Sequence, residues 1–220
     1  MTNRDIVVKL VESIPQNRYK PSVDAQKLIH LLDVMGYFDA PASTRFHSSY
    51  KGGLCQHCLN TYNTLLKIVS QTFHHEDDEK QWVDESNHCI FDESIIIVAL
   101  FHDIEKSVKY KETYRNEKVY SPSGSKFDEL GNFDWKSVPS YALDDTKRMM
   151  FGTHEENSLW FLTSIFELCD DEAVAILNHS GYANKNGPTD LTGIFEKYPL
   201  ALYLHLSDMY SSYYLEPVKR

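Results

Sequence analysis

The chain has 220 residues, of which 42% are hydrophobic, and a formal net charge of -10. Such a composition is typical of a globular protein that is long enough to bury a core. The acidic balance argues against binding of extended nucleic acid, which needs a basic face, but allows a small anionic substrate beside a local metal ion. No apolar run approaches the roughly 20 residues that cross a bilayer, and the first residues lack a signal-peptide pattern. We therefore expect a single cytoplasmic domain over residues 1–220 with no membrane partner, and a homodimer is compatible with this sequence.

Residues 1–40 are expected to form an N-terminal helical segment. Apolar side chains recur at helical spacing over residues 3–13 and 22–35, which predicts two helices. Ser22 is a candidate N-cap of the second helix, and Gly36 is its expected stop.

Two consecutive glycines precede another predicted helix, over residues 54–70. His57 lies one turn into this helix, near the face that carries its apolar side chains, so a metal ligand and a core histidine are both open interpretations. His47 fits a surface position and the edge of a substrate site equally well. With the nearby Arg45, it is a candidate substrate-binding residue.

The segment 74–92 is polar and acidic. This composition favours a solvated loop over a metal site at His74 and His75. Asp92 at its end is a candidate N-cap of the next helix.

That helix carries the most informative stretch of the chain. Its apolar run, residues 95–101, ends in His102 and Asp103, and Glu105 and Lys106 follow within one turn. Neighbouring helical positions lie about 100° apart, so the histidine and the aspartate can lean towards one point at the edge of a buried face. A buried carboxylate needs compensation, which a divalent metal, an N-cap or a core ion pair can each supply.

Residues 107–150 have a different character, with many aromatic residues interrupted by glycine and proline. This pattern predicts an irregular insertion with a short β-hairpin. The insertion fits a lid that stacks on a substrate base or sugar, and it fits an aromatic satellite core equally well.

Three further polar residues lie near apolar stripes in the C-terminal part. Thr153 and Glu156 have the spacing of a capping box, which places His154 at the start of a helix. His179 precedes the glycine that ends the next predicted helix, and Asp208 stands in an apolar and aromatic run where a carboxylate needs a partner or a metal.

Four histidines and two aspartates thus recur at helix edges that should face one core. They are His57, His102, Asp103, His154, His179 and Asp208. Imidazole and carboxylate ligands suit one or two divalent transition metal ions (Mn, Fe, Co, Ni or Zn), with Mg also allowed. No cysteine stands at these positions, so a catalytic site is favoured over a thiolate structural site.

The order of these residues resembles the HD-domain superfamily of metal-dependent phosphohydrolases, in which a histidine precedes an adjacent His-Asp pair and a late aspartate. The stretch GGLCQH is similar to the GGL-x-x-H motif around the first ligand, and HDIEK is similar to the HD-x-x-K form. The resemblance covers about residues 45–215. It implies a mostly α fold, an HD-domain-like helical bundle with a small irregular or β-hairpin insertion.

The resemblance also implies a role for each residue. It assigns His57, His102 and Asp208 to one ion and His154 and His179 to a second ion, with Asp103 bridging the two. Lys106 would contact phosphate. Glu105 stands where many members have glycine, and it is a candidate for proton transfer to the leaving group, with a solvent-facing carboxylate as the alternative.

The implied function is hydrolysis of a phosphate ester of a nucleotide or a similar small molecule through a metal-activated water. One alternative is a phosphodiesterase that acts on cyclic nucleotides, cyclic dinucleotides or RNA ends. Another is a non-catalytic protein that keeps the fold and binds a nucleotide.

Overall fold

The computed structural model describes residues 1–147, 152–183 and 190–216. Within these residues the protein is mostly helical with two small three-stranded sheets, so the predicted mostly α class is confirmed. Residues 148–150 of the predicted insertion lie outside the described residues, as do residues 151, 184–189 and 217–220 of the expected domain. None of the described helices combines the length and the apolar character that would let it cross a membrane.

The two N-terminal helices are α1 (Asn3–Ser13) and α2 (Ala25–Met35). The helix predicted from residue 22 begins later because Asp24, and not Ser22, caps it by accepting a bond from the Lys27 amide at 2.8 Å. Gly36 ends α2 as predicted, with a left-handed φ of 79°.

Further helices follow along the chain, and several of them surround one interior. They are α3 (Gly53–Thr72), α4 (Asp92–Phe101), α5 (Lys106–Lys109), α6 (His154–Thr163), α7 (Asp170–Asn178), α8 (Leu191–Lys197) and α9 (Pro199–Tyr210). Helix α3 packs against α4 and α9, and α7 packs against α4, α6 and α9. Every residue of α4 from Ser94 to Phe101 is buried, because this helix is apolar on all sides and lies between the others.

The polar segment 74–92 is not the expected solvated loop. It forms an antiparallel sheet of β1 (His74–Glu76), β2 (Gln81–Val83) and β3 (Cys89–Phe91), in the order β1-β2-β3. Asp92 is the first residue of α4 and not its N-cap, and its carboxylate accepts from Trp82 Nε1 at 2.8 Å. Pairing of these short strands depends on how each side chain packs against its cross-strand neighbours, which the local composition does not reveal.

The insertion is more regular than predicted. Strands β4 (Tyr110–Tyr120), β5 (Lys126–Asp128) and β6 (Gly131–Leu143) form a sheet in the order β4-β6-β5. Pairing of β4 with β6 is continuous from Tyr110 opposite Leu143 to Tyr120 opposite Phe133. The expected short hairpin is therefore a long one, and the irregular character predicted for the insertion is wrong over these residues.

Candidate metal centre

The His-Asp pair lies in the interior because of the way α4 ends. The helix stops at Phe101, His102 is its C-cap, and Asp103 follows in a turn that precedes α5. The exposed fractions of His102 and Asp103 are 0% and 1%. A helix that is buried and apolar after its first turn thus delivers an imidazole and a carboxylate to the interior of the molecule.

Two glycines position the first histidine. Gly52 adopts a left-handed φ of 83°, and a Cβ on Gly53 would lie 1.9 Å from the carbonyl oxygen of Ser48. Only glycine allows the loop to approach the start of α3 so closely. His57, one turn into α3, is fully buried as a result of this entry, and its Nε2 lies 3.6 Å from Asp103 Oδ2.

The other candidate ligands arrive from three different helices. His154 is the first residue of α6, whose predicted capping box of Thr153 and Glu156 is present. His179 is the C-cap of α7, and Asp208 lies in the last turn of α9. The structure therefore brings together all the residues that the sequence proposed as metal ligands.

Asp103 lies between two groups of histidines, one for each carboxylate oxygen. Its Oδ2 is 3.5 Å from His102 Nε2 and 3.6 Å from His57 Nε2. Its Oδ1 is 3.4 Å from His154 Nδ1 and 3.6 Å from His179 Nε2. One carboxylate can thus serve two sets of nitrogen ligands.

Several of these atoms are buried without a hydrogen-bond partner among the described residues. They are His102 Nε2, His154 Nδ1 and Asp103 Oδ1. A buried polar atom without a partner costs about 1–3 kcal/mol, so three in one cluster point to a ligand that satisfies them together. These groups could hold a metal ion, because their nitrogen and oxygen atoms lie within 4.8 Å of one another in overlapping sets of three.

In His102 and His179, the hydrogen bond of Nδ1, the outer nitrogen that points away from the cluster, determines which ring nitrogen faces the cluster. His102 Nδ1 donates to the Ala99 carbonyl at 3.1 Å, and His179 Nδ1 donates to the Ile176 carbonyl at 2.7 Å. A carbonyl oxygen only accepts, so Nδ1 carries the hydrogen and, in the neutral ring, Nε2 presents its lone pair to the cluster. This is the tautomer that metal-binding histidines use.

Burial and charge divide the cluster into neutral and charged groups. Burial lowers the pKa of His102 to about 4 and that of His154 to about 3, so both rings are neutral near pH 7. Burial alone would also lower the pKa of His57, but its contacts with Asp208 and Glu216 raise it to about 9. Burial would raise the pKa of Asp103, but Lys106 and the surrounding histidines hold it well below its usual value.

The two other candidates of the HD-x-x-K stretch lie at different distances from the centre. Lys106 Nζ is 2.5 Å from Asp103 Oδ2, so it lies within the cluster. Glu105 is only 2% exposed, which rules out the solvent-facing alternative, and its carboxylate pairs with Lys109 at 3.0 Å instead of joining the cluster.

The two predicted substrate-binding residues His47 and Arg45 lie at different places, one beside the cluster and one in a neighbouring cleft. The His47 ring lies 4.9 Å from the His57 ring, and its buried Nε2 has no partner among the described residues. Arg45 lines a neighbouring cleft of about 650 Å³ that reaches Arg115 of the β-hairpin and Glu216.

Sequence reasoning missed Glu216, whose Oε1 lies 3.3 Å from His57 Nδ1. It follows an aromatic run at the end of the described chain, and no motif marks it. Only the fold joins it to a histidine that is 159 residues away.

Comparisons of the chain with protein-family models, curated proteins and solved structures give no match. We therefore infer the function from the geometry of the cluster and from the sequence motifs.

Proposed function

We propose that this protein is a metal-dependent phosphohydrolase of the HD type that acts on a phosphate ester of a nucleotide or a similar small molecule. The observation that carries the proposal is the position of Asp103, whose two oxygens face two groups of histidines. A structural ion pair would need one partner for this carboxylate, whereas a two-metal site needs a ligand that is shared.

The donor set suits a transition metal. Under the proposal, His57, His102, Asp103 and Asp208 would hold one ion, and Asp103, His154 and His179 would hold a second. Four imidazoles favour Mn, Fe, Co, Ni or Zn, while Mg prefers oxygen ligands and fits less well. Bound metal would lower the pKa of a coordinated water and stabilise the charge that develops on the phosphoryl group.

Lys106 is the proposed phosphate contact. Its ammonium group is held inside the cluster by Asp103, and its side chain is 14% exposed. A cation fixed at this point stabilises negative charge on phosphoryl oxygens without reorganisation during the reaction. Burial raises the pKa of Glu105, which suits a group that holds a proton for the leaving oxygen, so Glu105 stays a candidate for that role.

The proposed substrate is small and anionic. The net charge of -10 disfavours a long polyanion. The cleft beside the centre is lined by Arg45 and Arg115, which could hold a further anionic group of the substrate. His47, next to His57, would lie at the edge of the reacting phosphate.

Metal analysis and phosphate release test the proposal together. The wild-type protein should contain at least about one equivalent of transition metal after purification, and Mn²⁺ should support phosphate release from nucleoside monophosphates or triphosphates. Asp103→Asn should lose both properties, because the shared ligand becomes a neutral amide. Asp78→Asn, at an exposed position between β1 and β2, is the matched control and should keep both.

Three results would contradict the proposal in different ways. Cleavage of cyclic dinucleotides or of RNA ends, without phosphate release from nucleotides, would identify a phosphodiesterase. Nucleotide binding without turnover in the metal-loaded protein would identify a sensor. Metal content that is equal in wild type and Asp103→Asn would contradict the proposed metal centre itself.

A further inference from the structure

His57 differs from the other buried histidines in the group that binds its outer nitrogen. His102 and His179 each donate Nδ1–H to a backbone carbonyl within their own helix. His57 Nδ1 instead lies 3.3 Å from a carboxylate oxygen of Glu216. A carboxylate partner makes an imidazole a stronger metal ligand than a neutral carbonyl does.

The Glu216 carboxylate is itself held from two sides. Its Oε1 also accepts from Asn60 Nδ2 at 2.8 Å, and its Oε2 accepts from Ser48 Oγ at 2.5 Å. The side chain is 5% exposed, and no ion pair with lysine or arginine is formed within the described residues. Among the described residues, His57 is thus the one group within ion-pair distance of Glu216 that can carry a positive charge, and the other contacts fix the position of the carboxylate.

The backbone between Asp208 and Glu216 explains why both residues reach the same histidine. Eight residues of α-helix turn the chain by about 800°, which would leave the second residue about 80° away from the first. Residues Ser211–Leu215 instead form a π-helix, closed by a bond from the Glu216 amide to the Ser211 carbonyl at 3.0 Å. A π-turn rotates the chain by a smaller angle per residue than an α-helix does, and this reduces the angle between Asp208 and Glu216. Asp208 therefore contacts Nε2 of His57 at 3.2 Å while Glu216 contacts Nδ1.

We propose that Glu216 is a positioning residue of the metal centre: its carboxylate, held by Ser48 and Asn60, accepts Nδ1–H of His57 and so directs Nε2 of that ring to the metal. This inference rests on the proposed metal centre. It also gives a function to the π-turn at Ser211–Leu215. This turn places Glu216 beside Nδ1 of His57, while Asp208 contacts Nε2 of the same ring.

The geometry favours this role over direct ligation by Glu216. His47, His57 and Glu216 also place one ligand atom each within 4.8 Å of one another. An ion there would take Nδ1 of His57, which would then have to serve two metals as an imidazolate. Both Glu216 oxygens already accept hydrogen bonds, so a positioning role needs no such ionisation.

Metal affinity in Glu216 variants tests the inference without depending on activity. Dissociation constants for Co²⁺ would be measured by chelator competition for wild type, Glu216→Gln and Glu216→Ala. We expect affinity to fall by about 10–100-fold in Glu216→Ala and by less in Glu216→Gln, whose amide oxygen can still accept the His57 hydrogen. Ser48→Ala and Asn60→Ala should each give smaller losses.

A spectroscopic signal separates positioning from loss of stability. In the Co²⁺ protein, proton NMR should detect the slowly exchanging Nδ1–H of His57 as a hyperfine-shifted resonance. Glu216→Ala should remove or broaden it while the signals of His102 and His179 remain. Val11→Ala, in the buried face of α1, is the stability control and should lower the melting temperature without changing the affinity or the spectrum.

The contradicting results are distinguishable. If wild type binds Co²⁺ and the Glu216 variants bind it equally well, the positioning role fails and the metal centre stands. If Val11→Ala weakens binding as much as Glu216→Ala, the effect of Glu216 is structural and the role also fails. If wild type binds no divalent metal, the proposed function fails together with this inference. Should Glu216→Ala not fold, Glu216→Gln with Asn60→Ala decides by the same criteria.

Discussion

Lys106 Nζ lies 2.5 Å from Asp103 Oδ2, so the carboxylate shared by the histidines already carries an internal cation. Burial would lower the pKa of Lys106, but Asp103 and its neighbours raise it well above the usual value, and the ammonium stays charged. The same contact offsets the cost of burying Asp103. A single pair thus serves the stability of the fold and the chemistry proposed for the site.

The first prediction concerns this lysine. Lys106→Met should lower kcat on the order of 10²–10³-fold, because it removes a cation aimed at the phosphoryl oxygens. Metal affinity should hold or increase, since the metal no longer competes with an ammonium group for Asp103. Steady-state kinetics and metal titration measure the two effects. Lys111→Met, a charge-matched change at an exposed position of β4, should alter neither. A parallel loss of metal in Lys106→Met would mean that the lysine is structural.

The second prediction concerns pH. The pKa of His57 is raised to about 9, so a metal must displace its proton below that pH. Metal affinity should therefore rise by about tenfold per pH unit for each proton displaced, and it should level off above pH 9. His102 and His154, whose pKa values are lowered by burial, should not add to this slope above pH 5.

The stability of the metal-free protein should change with pH in the opposite direction to metal affinity. A raised pKa means that protonated His57 stabilises the folded chain fully below its unfolded value of about 6.5, and that this contribution is lost as pH rises through 9. Chelator-treated protein should thus become less stable over the interval in which metal affinity increases. Calorimetric titration and urea unfolding at pH 6, 7.5 and 9 check both trends. Metal affinity that is independent of pH would contradict the role of His57.

The sequence predicted which side chains meet in the cluster better than it predicted the strands around them. Local rules located His154, because a capping box marks a helix start within one residue. The apolar run of α4 likewise placed His102 and Asp103 at the edge of the core. Glu216 and the long pairing of β4 with β6 escaped prediction, since both depend on contacts between residues distant in sequence.

The third prediction concerns a buried ion pair that contributes none of the proposed metal ligands. Glu172 has no exposed surface, and its carboxylate accepts from Arg18 Nη2 at 2.6 Å and from Ser94 Oγ at 2.7 Å. Glu172→Ala should lower the free energy of unfolding by about 3–5 kcal/mol, because the Arg18 side chain, which is only 13% exposed, is left without its main partner. Glu167→Ala, which breaks the exposed pair with Lys20, should cost less than about 1 kcal/mol. Urea denaturation measures the free energy of unfolding of both variants. Equal losses would show that the buried pair contributes no more to stability than the exposed pair.

The last prediction concerns the β-hairpin. Glu112 of β4 lies opposite Tyr141 of β6, so residues 113–140 can be replaced by Asn-Gly, which forms a tight hairpin turn at that register. The hairpin supplies Arg115 to the cleft beside the centre but none of the proposed metal ligands. The shortened protein should therefore keep its metal while KM for the phosphorylated substrate rises. Arg115→Gln, which removes only the cation, should give part of the same increase. An unchanged KM would favour the aromatic satellite core over the lid, and loss of metal would mean that the hairpin supports the centre.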